Sequence, residues 1–308
     1  FGIDYGMFNN RLYTTIDIYK TWTSDLLLPM IIPGHTGFTE VIGNVGKTET
    51  HGIDMTVSGV IFDESDFKWN ADLTIGHNKE KIVSINSNQD DEANGWFIGK
   101  PTKVFYDYEK VGIWQTSEAA EAEKYGQQPG DIKVKDQDDD GEITPKDDRV
   151  ILGQQTPKLT LGINNKLQYK QWELDVFLYG RFGHMIRNNN KLGFLPSGWQ
   201  NQAVYDYWTP ENPTNDMPRP NFNRDQNMLY FSTLGYEKGD FVKIKDVTLA
   251  YNVPLKWIAK IGLSRLRVYG TMKNFFTFTS VKDYDPESNG SIYYPITKEI
   301  VFGVNVSF

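Results

Sequence analysis

The 308-residue sequence contains no cysteine. That excludes a disulfide scaffold, thiol catalysis and Cys-ligated zinc together. Basic residues are in deficit: 32 Lys and Arg face 40 Asp and Glu, for a net charge of -8. Nucleic acid is therefore not expected as a partner, because phosphate binding needs a basic footprint. Long apolar runs are missing too. The nearest, Leu26 to Ile32, is broken by Pro29 and ended by Pro33, well short of the roughly 18 residues a spanning helix requires. Membrane helices are excluded; membrane strands, which need only about 9 to 11 alternating residues, are not. The start, "FGIDYGMFNN", has no initiating Met, basic segment or apolar leader, so the sequence is expected to be a piece of a longer polypeptide.

Large rings, by contrast, are plentiful. Aromatics make up 14% of the chain, with 17 Tyr and 18 Phe, although hydrophobic residues total only 39% and the mean hydropathy is -0.51. Many apolar groups with few consecutive ones is what alternation produces. In Phe67, Trp69, Ala71, Leu73 and Ile75 one face is apolar, while Lys68, Asn70, Asp72 and Thr74 form the other, the pattern of a strand with one oily and one wet side. The same reading applies to 1–8, 11–24, 48–61, 159–169, 172–181, 240–252, 265–278 and the end of the chain. That makes about nine strands, so the fold class is all-β and antiparallel.

The connections alternate in length. Asn9-Asn10, "FDESDF" and "YKQW" are tight, and "VPLKWIAKIGLS" holds at most a short helix; the other ends carry excursions over 25–47, 83–156, 185–237 and 280–296. Short turns on one side and long loops on the other is how an outer-membrane barrel is organised. Aromatic residues near strand ends, such as Trp22, Trp69, Tyr169 and Trp172, suit girdles at a lipid boundary. The competing arrangement is a soluble calcium-stabilised, carbohydrate-binding β-sandwich, whose apolar faces would meet each other across a closed interior.

Among motifs, "VIGNVGKT" lacks the first Gly of a phosphate-binding loop, since Val41 holds that place, and a strand rather than a helix follows, so nucleotide is not expected. Lys47 and Thr48 are expected in a loop before that strand. "DQDDDGEITPKD" places Asp136, Asp138 and Asp140 at loop positions 1, 3 and 5, Gly141 at 6, the Glu142 carbonyl at 7 and Asp147 at 12. This is the spacing of an oxygen-ligated structural calcium, with a solvated acidic loop tip as the alternative. "SEAAEAEKYG" reads as a short helix capped by Ser117 and ended by Gly126. No catalytic residues are expected: the four His are scattered, and Glu173 and Asp175 sit on one wet strand face. Loop aromatics either meet a ligand or hold the loops together; Trp199, Tyr205 and Tyr207 are candidates for substrate contact, and Trp208 for a structural role.

Taken together these residues resemble the SusC/RagA-like TonB-dependent outer-membrane transporters, specifically the C-terminal part of their barrel. The matching segments are "NVGK" with "GID" at 44–54, "VGIWQT", "PGDIKVKD", "DDRVILGQQTPKLTLGINN", "YWTPENPTND", "GDFVKIKDVTLAYNVP", "RLRVYGTMKNFFTF" and "YDPE", in that order. The resemblance implies a portion of an antiparallel transmembrane β-barrel of roughly 22 strands, with long extracellular loops, whose plug and earlier strands lie upstream. It implies a Gram-negative outer-membrane importer of an oligosaccharide or peptide, with a SusD-like surface lipoprotein as lid and TonB acting through the upstream part. It also implies that Gly303, Val306 and the terminal Phe308 belong to an assembly signal in the last strand.

Overall fold

The computed structural model describes residues 1–31, 37, 40–85, 89–194, 204–220, 228–291 and 293–308. In chain order its strands are β1 (Gly2–Met7), β2 (Leu12–Ile31), β3 (Glu40–Asp63), β4 (Phe67–Ser84), β5 (Val104–Tyr108), β6 (Lys110–Ile113), β7 (Ile132–Val134), β8 (Arg149–Gln154), β9 (Leu159–Tyr169), β10 (Trp172–Phe182), β11 (Met185–Arg187), β12 (Tyr236–Lys238), β13 (Phe241–Asn252), β14 (Arg265–Thr279) and β15 (Glu299–Ser307). Two helices are short, α1 (Ala119–Lys124) and α2 (Leu255–Ile258). No described helix is long and apolar enough to cross a membrane, which says nothing about strands.

One nine-stranded antiparallel sheet runs β1-β2-β3-β4-β9-β10-β13-β14-β15. These are the nine strands that alternation marks. The remaining six form two-stranded ribbons, β5 with β8, β6 with β7 and β11 with β12, all within the long loops. The wall is a pure meander, because each strand pairs with the next one of the sheet in chain order.

Register shows what the alternation is for. Phe67, Tyr169, Trp172, Tyr251, Val268 and Val304 lie side by side across six strands, at the short-turn end. Further along the same face, Phe276 and Phe278 of β14 stand exposed. Ten residues separate Val268 from Phe278; at about 3.3 Å per residue and a tilt of about 40° that spans roughly 25 Å, the height of a barrel's apolar band. The aromatics therefore mark the two rims of a lipid belt. Between the rims, Leu174, Leu249 and Ile300 are also exposed. A sandwich would have covered this face with a second sheet; among the described residues no sheet of more than two strands packs on it. The sheet is a portion of a transmembrane barrel wall, with the oily side outward.

The opposite face carries Asn70, Lys166, Asp175, Thr248 and Thr271 in one row, and Val301 at its end opposite Thr271. Three tyrosines on this face are paired with glycines of the neighbouring strand: Tyr13 with Gly6, Tyr19 with Gly52 and Tyr269 with Gly303. At Gly303 an added Cβ would lie 2.3 Å from Tyr269 Cζ, and at Gly52 2.5 Å from the Tyr19 hydroxyl. The rings lie over strands that have no side chain to obstruct them.

Two expectations are corrected. The stretch 25–47 is mostly a continuation of the β2–β3 hairpin: Met30 pairs with Val41 and Leu27 with Asn44, so Lys47 and Thr48 are strand residues paired with Ser84 and Ile82. With 20 and 24 residues, β2 and β3 exceed the about 10 needed to cross and rise beyond the bilayer on the long-loop side. Ser117 does not cap α1. The preceding single turn (Thr116–Glu118) opens with a reciprocal cap between Gln115 and Glu118, whereas Gly126 does end the helix, with φ +66.

Candidate functional site

The loops on the long side build their own packed unit. Ribbons β5–β8 and β6–β7 contribute Tyr108, Ile113, Ile132 and Val134 to a buried cluster, completed by Phe194, Trp208, Met217 and Leu234 from the later loops. Segments nearly a hundred residues apart are thereby fused, since apolar side chains on short ribbons have no other surface to bury against. Trp208 is 5% exposed and donates its indole N–H to Gln115 Oε1 at 2.9 Å. Asn215 accepts from the Ile113 amide at 2.9 Å. Beside it the Lys110 ammonium donates to the carbonyls of Asn215 and Asp216 at 2.8 and 2.9 Å. Burial pulls the Lys110 pKa down to about 8, although Asp216 and Glu237 favour its charged form. Lys191 bridges the same two acids, each at 2.9 Å.

The aromatic candidates are sorted by this packing. Trp114 is buried, donating to Gln127 Oε1 at 2.6 Å. Tyr205 is half-buried; its hydroxyl donates to the Asn190 carbonyl at 2.8 Å and its ring meets Phe194 edge-on at 5.2 Å. Tyr207 is 44% exposed, and Trp199 lies outside the described residues. Of the two described aromatics expected to meet substrate, Tyr207 has the more open ring.

A second locking point ties a loop to the wall. Lys243 of β13 is inaccessible to solvent, with its ammonium 2.7 and 2.6 Å from the two Asp285 oxygens and 2.8 Å from Glu287. Lys245 reaches the other Glu287 oxygen. Burial opposes the Glu287 charge, but the two lysines outweigh it and hold the carboxyl below its ordinary range. Asp285 also caps the turn Pro286–Ser288. The "YDPE" motif carries no local sign of its partner, because Lys243 is 42 positions away.

Toward the short-turn end the wet face holds a hollow of about 280 Å³, lined by Asn70, Lys166, Glu173, Asp175, Thr248 and Arg267 among others. Glu173 there accepts from Arg267 at 2.8 Å and Asn252 at 2.6 Å. The hollow thus presents charges of both signs.

In the acidic loop the structure brings together a different set from the one that spacing suggests. Carboxylate oxygens of Asp136, Asp138 and Asp148 lie within 4.8 Å of one another. Asp140 instead accepts from the Glu142 amide at 2.8 Å, and Asp147 pairs with Lys146 at 3.5 Å. Glu142 is exposed. Asp148 is fully buried, accepting amides from Gln137 at 2.8 Å and Thr144 at 2.7 Å. At the end of the chain, Val306 pairs with Leu266 and stays exposed, as does Phe308.

No protein-family model matches the chain. It is 31% identical, over its whole length, to TonB-dependent receptor P3 of Formosa agariphila, of which it covers 33%. It is 23% identical, again over its whole length, to TonB-dependent receptor SusC of Bacteroides thetaiotaomicron, covering 31% of it. The chain thus spans about a third of the length of the curated relatives it matches. Among solved structures it superposes in full on 34% of a chain of the RagAB peptide transporter, with a TM-score of 0.78 and 26% identity.

Proposed function

The chain is homologous along its whole length to SusC/RagA-like TonB-dependent receptors, and on that premise we propose that it forms part of the wall and mouth of an outer-membrane importer. The observation that carries this reading is the two-sided sheet, oily toward lipid and wet toward the interior, with the described parts of the loops between β4 and β9 and between β10 and β13 packed into a unit of their own. In the proposal the wet face lines the passage, and the loop unit meets an oligomeric substrate, glycan or peptide, and a SusD-like lipoprotein lid. TonB acts on a plug contributed by residues beyond this chain. Transport is conformational, so no residue here performs covalent chemistry. In this reading Tyr205 and Tyr207 are contacts for a ligand ring or peptide, Tyr207 with its ring exposed. Gly303, Val306 and Phe308 are read as the assembly signal of the last strand, a role separate from the seat that Gly303 gives to Tyr269.

Uptake of fluorescent oligosaccharides and oligopeptides by cells carrying the full-length protein tests the reading. Import of one class should stop when the inner-membrane proton gradient is collapsed or TonB removed. Import unchanged by both treatments, or a protein that extracts into buffer without detergent, rejects it.

A further inference from the structure

We propose that Asp136, Asp138 and Asp148 hold a hard divalent cation, calcium foremost, which fixes the acidic loop between β7 and β8. Three carboxylates converge to within 4.8 Å, two of them buried, Asp136 at 9% and Asp148 at 0% exposure. Among the described residues no lysine or arginine pairs with any of the three; the loop's own Lys146 is turned to Asp147.

The second observation is an orphan atom. Asp136 Oδ2 accepts from the Gly141 amide at 2.9 Å and the Tyr125 hydroxyl at 3.2 Å. Asp136 Oδ1, hidden from solvent, has no hydrogen-bond partner. A buried carboxylate oxygen left unpaired is costly, and a cation seated among the three carboxylates relieves it.

The donor chemistry selects the ion. All three side chains offer oxygen, and among the described residues no His joins them, which favours calcium or magnesium over zinc or copper. The irregular set favours calcium, because magnesium demands near-ideal octahedral geometry. The carboxylates are held in advance: Gly141 (φ +88) and Asp139 (φ +58) reverse the chain, the Gly141 amide binds Asp136 Oδ2, and the amides of Gln137 and Thr144 bind one Asp148 oxygen each. The positions are 1, 3 and 13 of the loop rather than 1, 3, 5 and 12. Asp148 takes the closing place because the Thr144–Asp148 turn, with the Asp148 amide donating to the Thr144 carbonyl at 3.2 Å, points it inward.

The test uses the intact transporter in detergent, stripped with EDTA and titrated calorimetrically with calcium chloride, then with terbium excited through Tyr125. Asp138 lies on the surface, so Asp138→Asn leaves the fold in place. It is expected to weaken calcium binding tenfold or more and to quench the terbium signal, whereas Asp147→Asn changes affinity less than twofold. Absence of calcium binding in the unaltered protein overturns the site, as does loss in Asp147→Asn with retention in Asp138→Asn. Uptake is not the readout, so failure here leaves the importer reading untouched.

Discussion

Lys243 and Asp285 form a bidentate ion pair inside the protein, 2.7 and 2.6 Å from ammonium to the two carboxylate oxygens, with no solvent access to the lysine side chain. Removing one partner leaves uncompensated buried charge, which costs about 3 to 5 kcal/mol. Lys243→Met is therefore expected to release the 280–296 loop, seen as new protease cleavage there and a lower unfolding temperature. Adding Asp285→Asn and Glu287→Gln should recover much of the loss, because the stranded charges go with the lysine.

Trp208 and Tyr207 are adjacent in sequence but opposite in role. Trp208→Ala empties a packed cluster and orphans Gln115, a change worth about 3 to 5 kcal/mol to the loop unit. Limited proteolysis should show the loops opening while the barrel keeps its heat-dependent gel shift. Tyr207→Ala should leave proteolysis unchanged and alter substrate affinity alone.

The depressed Lys110 pKa fixes the sign of a pH effect. Between about 8 and its ordinary 10.5 the folded chain has released the proton while the unfolded one retains it. The unfolded state then binds more protons, so loop stability rises with pH through that window. Each unit of displacement is worth about 1.4 kcal/mol. Hydrogen exchange of residues 104–154 should slow between pH 8 and 10, after correction for intrinsic rates, and Lys110→Met should remove that trend.

On the wall, neighbouring residues of β13 should respond oppositely to charge. Leu249→Arg points to lipid and should cost up to about 4 kcal/mol, less the nearer it lies to a rim. Thr248→Arg points to the wet side and should fold normally. The fraction of unheated protein running as folded barrel distinguishes the pair.

Gly303→Ala should displace the Tyr269 ring, at a cost of about 1 to 3 kcal/mol for the disturbed packing. Gly303→Ala with Tyr269→Ala should assemble better than Gly303→Ala alone, measured as folded barrel per cell. If the double variant is no better, Gly303 acts through something other than Tyr269.

The nine wall strands were legible because lipid on one side and water on the other impose a strict two-residue period, as in Phe67 to Ile75. Residues 25–47 were not: Pro29 and the Leu26–Leu28 run look like breakers, yet the extended hairpin tolerates them with a bulge near Leu26. The Tyr269–Gly303 and Lys243–Asp285 relationships depend on register and loop return, which local pattern does not encode. Spacing along the acidic loop points to Asp147, while the carboxylates that converge include Asp148, because counting along a loop does not encode which way its last turn faces. Trp208 was read correctly as structural; its partner Gln115, 93 positions upstream, carried no local signal.

β4 and β9 are neighbours in the wall, paired without interruption from Phe67 with Tyr169 to His77 with Leu159, although more than seventy residues separate their facing ends. Closing so long a detour costs little more than closing a short one, since the entropy grows only with the logarithm of length. That detour can consequently be exchanged wholesale, while the staves on either side keep their seam.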